Sequence, residues 1–325
     1  YNVIYKKKLK NGKFFPFPIF LSLSKKNYNK FKNQKKIQII YNSSNVCSLK
    51  INSFYKVDKK KVGKKIFNTS SLKHPGYNNF VSSGDYNIDC EIEKFNNKIL
   101  DKIYFTNPEK IKRIIMKKKL KTVVGFHTRN APHKAHEWIH SLGFKNCQSL
   151  LVQPMIGQFK KNEYKGKYII ISNKKLVEKV YKKRNILFGI FNSYPRYGGP
   201  REAILHAIAR KNYGCTHFLV GRDHAGYSNF YKKYAAQSFC KKNEKKIKIK
   251  IIKFNEPFLC KNCNKIVNSK KDCCYACVKF SINGTFIRKL LFKKKSIPTT
   301  IMRKEISILL KKNSLIKKTN KNYPQ

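Results

Sequence analysis

The sequence predicts an α/β protein with a β-rich domain at its start, a parallel-sheet domain in the middle, and a small cysteine-bearing, helical part at its end. Three observations carry that reading. Short apolar runs broken by turn residues fill the first third, short apolar runs alternate with helical patterns from Thr122 onward, and five of ten cysteines (Cys260, Cys263, Cys273, Cys274, Cys277) crowd one late stretch. With 325 residues the chain has ample length for a buried core and for about two domains.

In residues 1-104, Pro18 to Ser24, Ile37 to Tyr41 and Val46 to Val57 read as strands, while the HPGYNN segment from His74 and the SSGDYN segment from Ser82 read as turns before Ile92. Few helical periods occur there, and the domain is expected to be β-rich. In residues 105-258, Pro108 suits a first helical turn and opens a helix through Leu120. TVVGF (Thr122 to Phe126) has the continuous apolarity of a buried parallel strand. A helix follows from His133 through Leu142, then strand SLLVQP, helix VEKVYKKR, strand ILFGIF, helix GPREAILHAIARKNYG and strand THFLVG. Alternating βα units imply a parallel sheet whose ligands bind beyond the carboxyl ends of the strands. Residues 259-325 hold the cysteine knuckle, an NGT turn at Asn283 and a helix-rich, Lys-rich tail whose final KKTNKNYPQ is expected to fray.

The net charge of +57, from 73 Lys and Arg against 16 Asp and Glu, would by itself suggest a nucleic-acid binder. Only nine of the cations are Arg, and the chain is equally crowded with Asn, Ile, Phe and Tyr, the pattern of a genome drifting toward A/T-rich codons. Surfaces that track phosphates usually mix Arg and aromatics into the Lys, so a solvated Lys coat is the expected reading and no specific nucleic-acid partner is implied. An apolar fraction of 41% supports packed domains. The apolar stretch Phe14 to Leu23 is broken by Pro16 and Pro18 and falls short of a membrane span. Without a signal-peptide pattern, and with its cysteines at metal spacing, the chain is expected to be cytoplasmic.

Two strand ends carry chemistry. HTRNAPHKAH (His127 to His136) follows a buried strand directly. His133 and His136, spaced i, i+3 at a helix N-terminus, share one face where amide N–H groups and the helix dipole favour an anion. Arg129 adds a planar guanidinium and Asn130 a neutral donor. Such a His pair can also bind zinc, but Arg and Lys neighbours repel a cation. FLVGRDHAG (Phe218 to Gly226) is the second strand end; its Gly221 and Gly226 allow close approach to a ligand, against the alternative of a tight turn with an internal Arg–Asp pair. A third segment, YPRYGGPREA from Tyr194, precedes a helix, and six of the nine Arg fall between 129 and 222.

VVGFHTRNAPHKAHE, QPMIGQ, GGPREAILHAIARKNYGCTHFLVGRDHAG and INGTFIRKLL together resemble the sulfate adenylyltransferase (ATP sulfurylase) family in order and spacing, and FPFPIFLSLS, HPGYNN and GDYN resemble that family's N-terminal PUA-like domain. The resemblance runs from Phe15 to Leu309 and implies a PUA-like domain, N-terminally incomplete, followed by a Rossmann-like nucleotidyltransferase domain with no appended kinase. It implies the reaction of MgATP with sulfate to give adenosine 5′-phosphosulfate and diphosphate, in a homo-oligomer. By resemblance, Thr128, Arg129, Asn130, His133 and His136 are catalytic; His127, Arg129 and Ala225 hold sulfate; Arg129, Asn130, Ala131, Pro132, Gly221, Arg222, Asp223, His224 and Pro257 hold ATP, with Phe254 to Pro257 lining the nucleotide pocket. His127 stands where Gln is frequent and, if protonated, would bind sulfate more strongly at low pH. Lys134, Ser228, Phe286 and Lys289 also depart from the pattern.

Cys260 and Cys263, with Cys273 and Cys277, read as a structural zinc site. Some members of the family pair Cys-x2-Cys with Cys-x3-His, a spacing Cys273 and Cys277 reproduce; Cys274 with Cys277 competes as a second knuckle. The rival to an enzyme is a zinc-ribbon, PUA-type RNA-binding protein. The position of the arginines separates the two: a nucleic-acid surface exposes them.

Overall fold

The computed structural model describes residues 1–41, 43–96, 105–157 and 162–316. The boundary expected at 104, Gln158 of QPMIGQ and the tail from Lys317 lie outside them.

The N-terminal domain is built on an antiparallel sheet of order β1-β4-β3-β2, with β1 Ser22–Leu23, β2 Lys36–Tyr41, β3 Ser44–Lys56 and β4 Tyr86–Phe95. The strand expected from Pro18 shrinks to two residues, and part of the segment read as a turn is β4, which lies between β1 and β3. The expectation of few helices fails. Helix α1 (Lys25–Phe31) is capped by Ser24, α2 (Lys59–Phe67) by Asp58, which accepts the Lys61 N–H, and α3 (Pro75–Val81) by His74, whose Nδ1 accepts the Tyr77 N–H at 3.0 Å. The cause is visible in α2: Val62, Ile66 and Phe67 form its buried stripe, but its nine residues make too few turns to establish a period. HPGYNN is therefore a cap and first helical turn, with Pro75 placed where a missing N–H costs nothing.

The central domain has a five-stranded, all-parallel sheet of order β7-β6-β5-β8-β9: β5 Val123–Thr128, β6 Ser149–Pro154, β7 Ile186–Phe188, β8 His217–Val220 and β9 Lys250–Lys253. Around it lie α4 (Pro108–Lys117), α5 (Lys134–Asn146), α6 (Gly166–Val180), α7 (Gly199–Asn212), α8 (Ala235–Lys242) and the short α9 (Glu244–Ile247). Strand β9 and helix α8 had no reading in the sequence, and VEKVYKKR is only the end of α6. Val123, Val124, Leu150, Leu151, Val152, Phe218 and Val220 are sealed from solvent, which explains the unbroken apolar runs. Burying each such side chain contributes about 1.5–3 kcal/mol. The chain builds β5, β6 and β7 outward in one direction and β8 and β9 in the other. The adjacent β5 and β8 therefore send their exits to opposite sides and open a crevice between them.

The last part carries a small antiparallel sheet of order β11-β10-β12 (β10 Phe258–Cys260, β11 Ile266–Val267, β12 Lys279–Phe280), then α10 (Gly284–Phe292) and α11 (Lys304–Ser307). It shares one core with the central domain: Ile287, Leu291, Ile301 and Met302 pack with Met155, Ile169 and Leu176. The final segment is thus a wall of the central domain, and α10 reaches the crevice. Among the described residues no helix is long and apolar enough to cross a membrane.

Candidate active site

A cavity at the β5/β8 crevice is lined by His127, Thr128, Arg129 and Asn130 from β5 and its exit, by His136 of α5, by Asp223, His224 and Ala225 after β8, and by Tyr197, Glu202 and His206 around the start of α7. The two motifs read from the sequence as anion-binding strand ends thus face one another across a single space.

The exit of β5 is stiffened from inside. Thr128 Oγ1 accepts the Asn130 N–H at 3.1 Å, the Asn130 carbonyl accepts from Asn173 Nδ2 at 3.1 Å, and Asn130 Oδ1 accepts from Arg288 Nη1 at 2.9 Å. Gly284 leaves room for this contact: a Cβ there would lie 2.6 Å from Asn130 Oδ1. Arg129 lies 5.3 Å from the centre of the Tyr197 ring, and its Nη1 is buried with no hydrogen-bond partner in the protein. A buried guanidinium nitrogen left unpaired is costly unless an anion completes it.

His133 is the N-cap of α5 and its ring stacks on His136 at 3.8 Å; the Nδ1 atoms of both are buried without partners. The first amide of the helix is already taken, since Lys134 N–H donates to the Ile301 carbonyl at 2.8 Å. One of the free amides that the sequence suggested for this end is therefore already satisfied within the protein. Burial holds His136 down to about 4 and, with His136 and His140 beside it, holds His133 well below the usual imidazole range. Both rings are neutral at pH 7. Ala131 and Pro132 are buried behind the β5 exit and contribute no wall to the cavity.

After β8, Ala225 adopts φ +58°, and its carbonyl accepts the Gly199 N–H at 2.9 Å, stitching this loop to the start of α7. Arg222 donates to Asp223 at 2.7 Å and pairs with Glu256. The internal Arg–Asp pair weighed as an alternative therefore exists, and Arg222 is neutralised on the cavity's flank while Asp223 and His224 line it. Gly221 lies beside Phe254, and Pro257 is buried away from the cavity wall.

The sequence reading missed the floor. Glu202, His206 and Arg210 fall at i, i+4, i+8 along α7, a buried polar stripe beside the buried Ala203, Ile204 and Ala207, and that spacing was the available signal. Glu202 accepts the N–H groups of Arg196 at 3.0 Å and Gly198 at 2.8 Å. Burial pushes its carboxyl up, but His206 and these amides outweigh that and hold it below its ordinary value. His206 stacks on His127 at 4.3 Å and its Nδ1 lies 3.0 Å from His224 Nε2. His127, His206 and His224 bring ligating atoms within 4.8 Å, close enough for a cation. Arg210 Nη2, however, already occupies His127 Nδ1 at 2.6 Å. Burial first, then His206, Arg210 and His224, keep His127 well below the ordinary imidazole range, so the protonated His127 considered from the sequence does not form near neutrality.

In the cysteine cluster the four sulfurs that converge are those of Cys260, Cys263, Cys273 and Cys274. Both competitors for the third position are therefore included and Cys277 stands outside the set. Sγ separations are 3.6 Å for Cys260–Cys274 and Cys263–Cys273 and 3.9 Å for Cys273–Cys274. Four thiolates about 2.3 Å from a tetrahedral zinc would stand about 3.8 Å apart, so the donor set fits that ion. Chiefly through the Cys263 amide, the Cys260 thiol is held down to about 5.

A parallel sheet with two basic strand ends converging at its switch point defines a nucleotide-binding α/β enzyme, with a small PUA-like domain in front. A family model described as PUA-like domain matches residues 1–97, and one described as ATP-sulfurylase matches residues 102–313. The chain belongs to the ATP-sulfurylase family. It is 32% identical over 316 residues to a sulfate adenylyltransferase of Chloroflexus aurantiacus, covering 95% of this chain and 81% of that one. It is 34% identical over 273 residues to one of Thermococcus onnurineus (83% and 71%), and 30% identical over 318 residues to one of Entamoeba histolytica (91% and 74%). A solved structure titled hexameric APS kinase from Thiobacillus denitrificans shares the fold at TM-score 0.70 and 13% identity, covering 95% of this chain and 55% of that one.

Proposed function

We propose that the protein is a sulfate adenylyltransferase in which a sulfate oxygen attacks the α-phosphorus of MgATP in line, forming the sulfate–phosphorus link of adenosine 5′-phosphosulfate as the bond to diphosphate breaks. One observation carries the reading: the β5 and β8 exits face one another across a cavity that holds the unpaired Arg129 nitrogen. Sulfate is fully ionised at neutral pH and needs no general base, so catalysis reduces to orientation and charge neutralisation. Arg129, with Thr128 and Asn130, meets the reacting groups. His127 and the Ala225 amide hold sulfate, and His133 and His136 give neutral donors to charge developing on the phosphates. Asn130, Asp223 and His224 frame the nucleotide, with Gly221 and Arg222 on the flank of that wall and Ala131, Pro132 and Pro257 buried outside it, and magnesium arrives with ATP. Diphosphate release that requires both ATP and sulfate tests the reading; release independent of sulfate, or none, overturns it.

The arginines weigh against the RNA-binding alternative: of the nine, only Arg113 and Arg184 are exposed, while the rest engage the site or the packing around it. Binding to RNA or DNA is expected to be weak and sequence-blind and to fade toward physiological salt, measurable by fluorescence anisotropy. Assembly into a homo-oligomer belongs to the same reading and is checked by sedimentation velocity.

Gly284→Ala is expected to lower kcat/KM roughly 10- to 100-fold with little loss of Tm, because the added methyl pushes Asn130 and Arg288 from their contact while favouring the helix. Wild-type turnover would separate that contact from catalysis.

The cysteine cluster holds a structural zinc ion through Cys260, Cys263 and two of the three later cysteines. All its donors are thiols, which leaves no open position for water. Chelation should lower Tm before it lowers turnover per folded molecule, and metal analysis should return about one zinc per chain. Replacing Cys274 should cost zinc and replacing Cys277 should spare it, if the converging set is the ligand set.

A further inference from the structure

Arg210 is the largest side chain in the described residues that is sealed entirely from solvent. It rises from the last turn of α7 against Gly125, where a Cβ would stand 2.6 Å from its Cγ, and its guanidinium lies 4.5 Å from the ring centre of Phe191 and 5.8 Å from that of Phe218. No carboxylate pairs with it among the described ion pairs, and its Nε and Nη1 are buried without partners. Its short contact is Nη2 to His127 Nδ1 at 2.6 Å; a second, at 3.4 Å, reaches the Gln153 carbonyl. Such a position is expensive for a charge and calls for a use.

A guanidinium only donates hydrogen bonds, so His127 Nδ1 must accept, and the single proton of the neutral ring must sit on Nε2. We propose that Arg210 is a positioning residue for the sulfate site: by donating to Nδ1 it fixes His127 as the Nε2–H tautomer and so presents a bound sulfate with a neutral N–H donor. The proposal rests on the reading of His127 as a sulfate ligand. The groups that face His127 agree with it. Arg129, His206 and His224 surround the ring, His206 stacked on it at 4.3 Å and His224 5.3 Å away between ring centres. No carboxylate is among them to favour an imidazolium. The donor is thus set by tautomer and not by charge, and sulfate affinity should not strengthen as pH falls from 8 to 6.

A glutamine side chain carries an N–H donor that no tautomer can remove, so His127→Gln supplies the control. KM for sulfate and for ATP would be measured in the wild type, His127→Ala, His127→Gln, Arg210→Met and the double variant His127→Gln/Arg210→Met. Arg210→Met is expected to raise KM for sulfate about tenfold, with a smaller change for ATP, the loss of one charge-assisted hydrogen bond being about 1.4 kcal/mol per factor of ten. In the His127→Gln background the same change should move it less than about threefold. Equal factors in both backgrounds, or no change in either, would make Arg210 core packing alone and overturn the proposal. If His127→Ala leaves KM for sulfate unaltered, the sulfate-ligand reading itself fails. Nitrogen NMR of histidine-labelled wild-type protein, with His127 assigned by its loss in His127→Gln, reads the tautomer even where Arg210→Met does not fold. An Nε2–H ring supports the proposal, and an Nδ1–H ring or an imidazolium at pH 7 overturns it.

Discussion

Arg129→Ala is expected to lower kcat/KM for ATP and sulfate by roughly 100- to 1000-fold while leaving Tm close to that of the parent. Arg129 stands at the exit of β5 with one nitrogen buried and unpaired, its guanidinium against the Tyr197 ring. In the proposed reaction it meets charge on both sulfate and the α-phosphate, and the buried, unpaired nitrogen is the donor that would meet it. Losing one preorganised donor of that kind costs about 3–4 kcal/mol of barrier. Stability should be spared because the side chain fills no core and pairs with no carboxylate among the described ion pairs. Steady-state assay and thermal melts together decide the matter: turnover above a tenth of wild type would remove Arg129 from the reacting groups, and a large drop in Tm would make its role architectural.

The second large effect concerns acid. His133 and His140, 5% and 0% exposed, are held well below the imidazole range by burial first and then by neighbouring histidines. A histidine whose folded pKa is depressed binds its proton more readily unfolded. Stability is therefore complete above the unfolded value near 6.5 and is lost progressively as pH falls below it toward the folded value. Each such group removes about 1.4 kcal/mol per pH unit. From pH 7.5 to 5.5 these two alone cost about 3 kcal/mol, and His127, His136, His206 and His224 act in the same sense. That is a large part of the roughly 5–15 kcal/mol typical of a folded domain. Glu202, held below its ordinary value, adds a loss only at lower pH. Calorimetric scans at physiological ionic strength should show Tm falling by at least about 5–10 °C over that interval. A Tm that stays level would mean these histidines accept protons inside the fold.

What was legible in the linear chain follows from where each feature's physics lies. The β5, β6 and β8 runs declared themselves because a strand buried on both faces needs unbroken apolarity, and the Arg- and His-rich segments that follow β5 and β8 marked the side on which the cavity lies. The helices of the first domain stayed hidden because they are short: α1 and α3 have seven residues each and α2 nine, too few turns for Val62, Ile66 and Phe67 to establish a period. Strand β4 went unread because its first residues, Tyr86 and Asn87, belong to the segment read as a turn, although Ile88, Cys90 and Ile92 alternate with Asp89, Glu91 and Glu93 beyond it.

The sequence by itself determined the family, the parallel α/β core and the two strand ends that line the cavity, because each depends on residues adjacent in the chain. Only the tertiary structure decided that Arg210 lies under His127, that Arg288 and Asn173 from remote helices hold Asn130, and that Cys274 joins Cys260, Cys263 and Cys273. These are contacts between segments up to 158 residues apart. They form because strand order and shared cores bring the segments together, and no local spacing of residue types records which side chains will then meet.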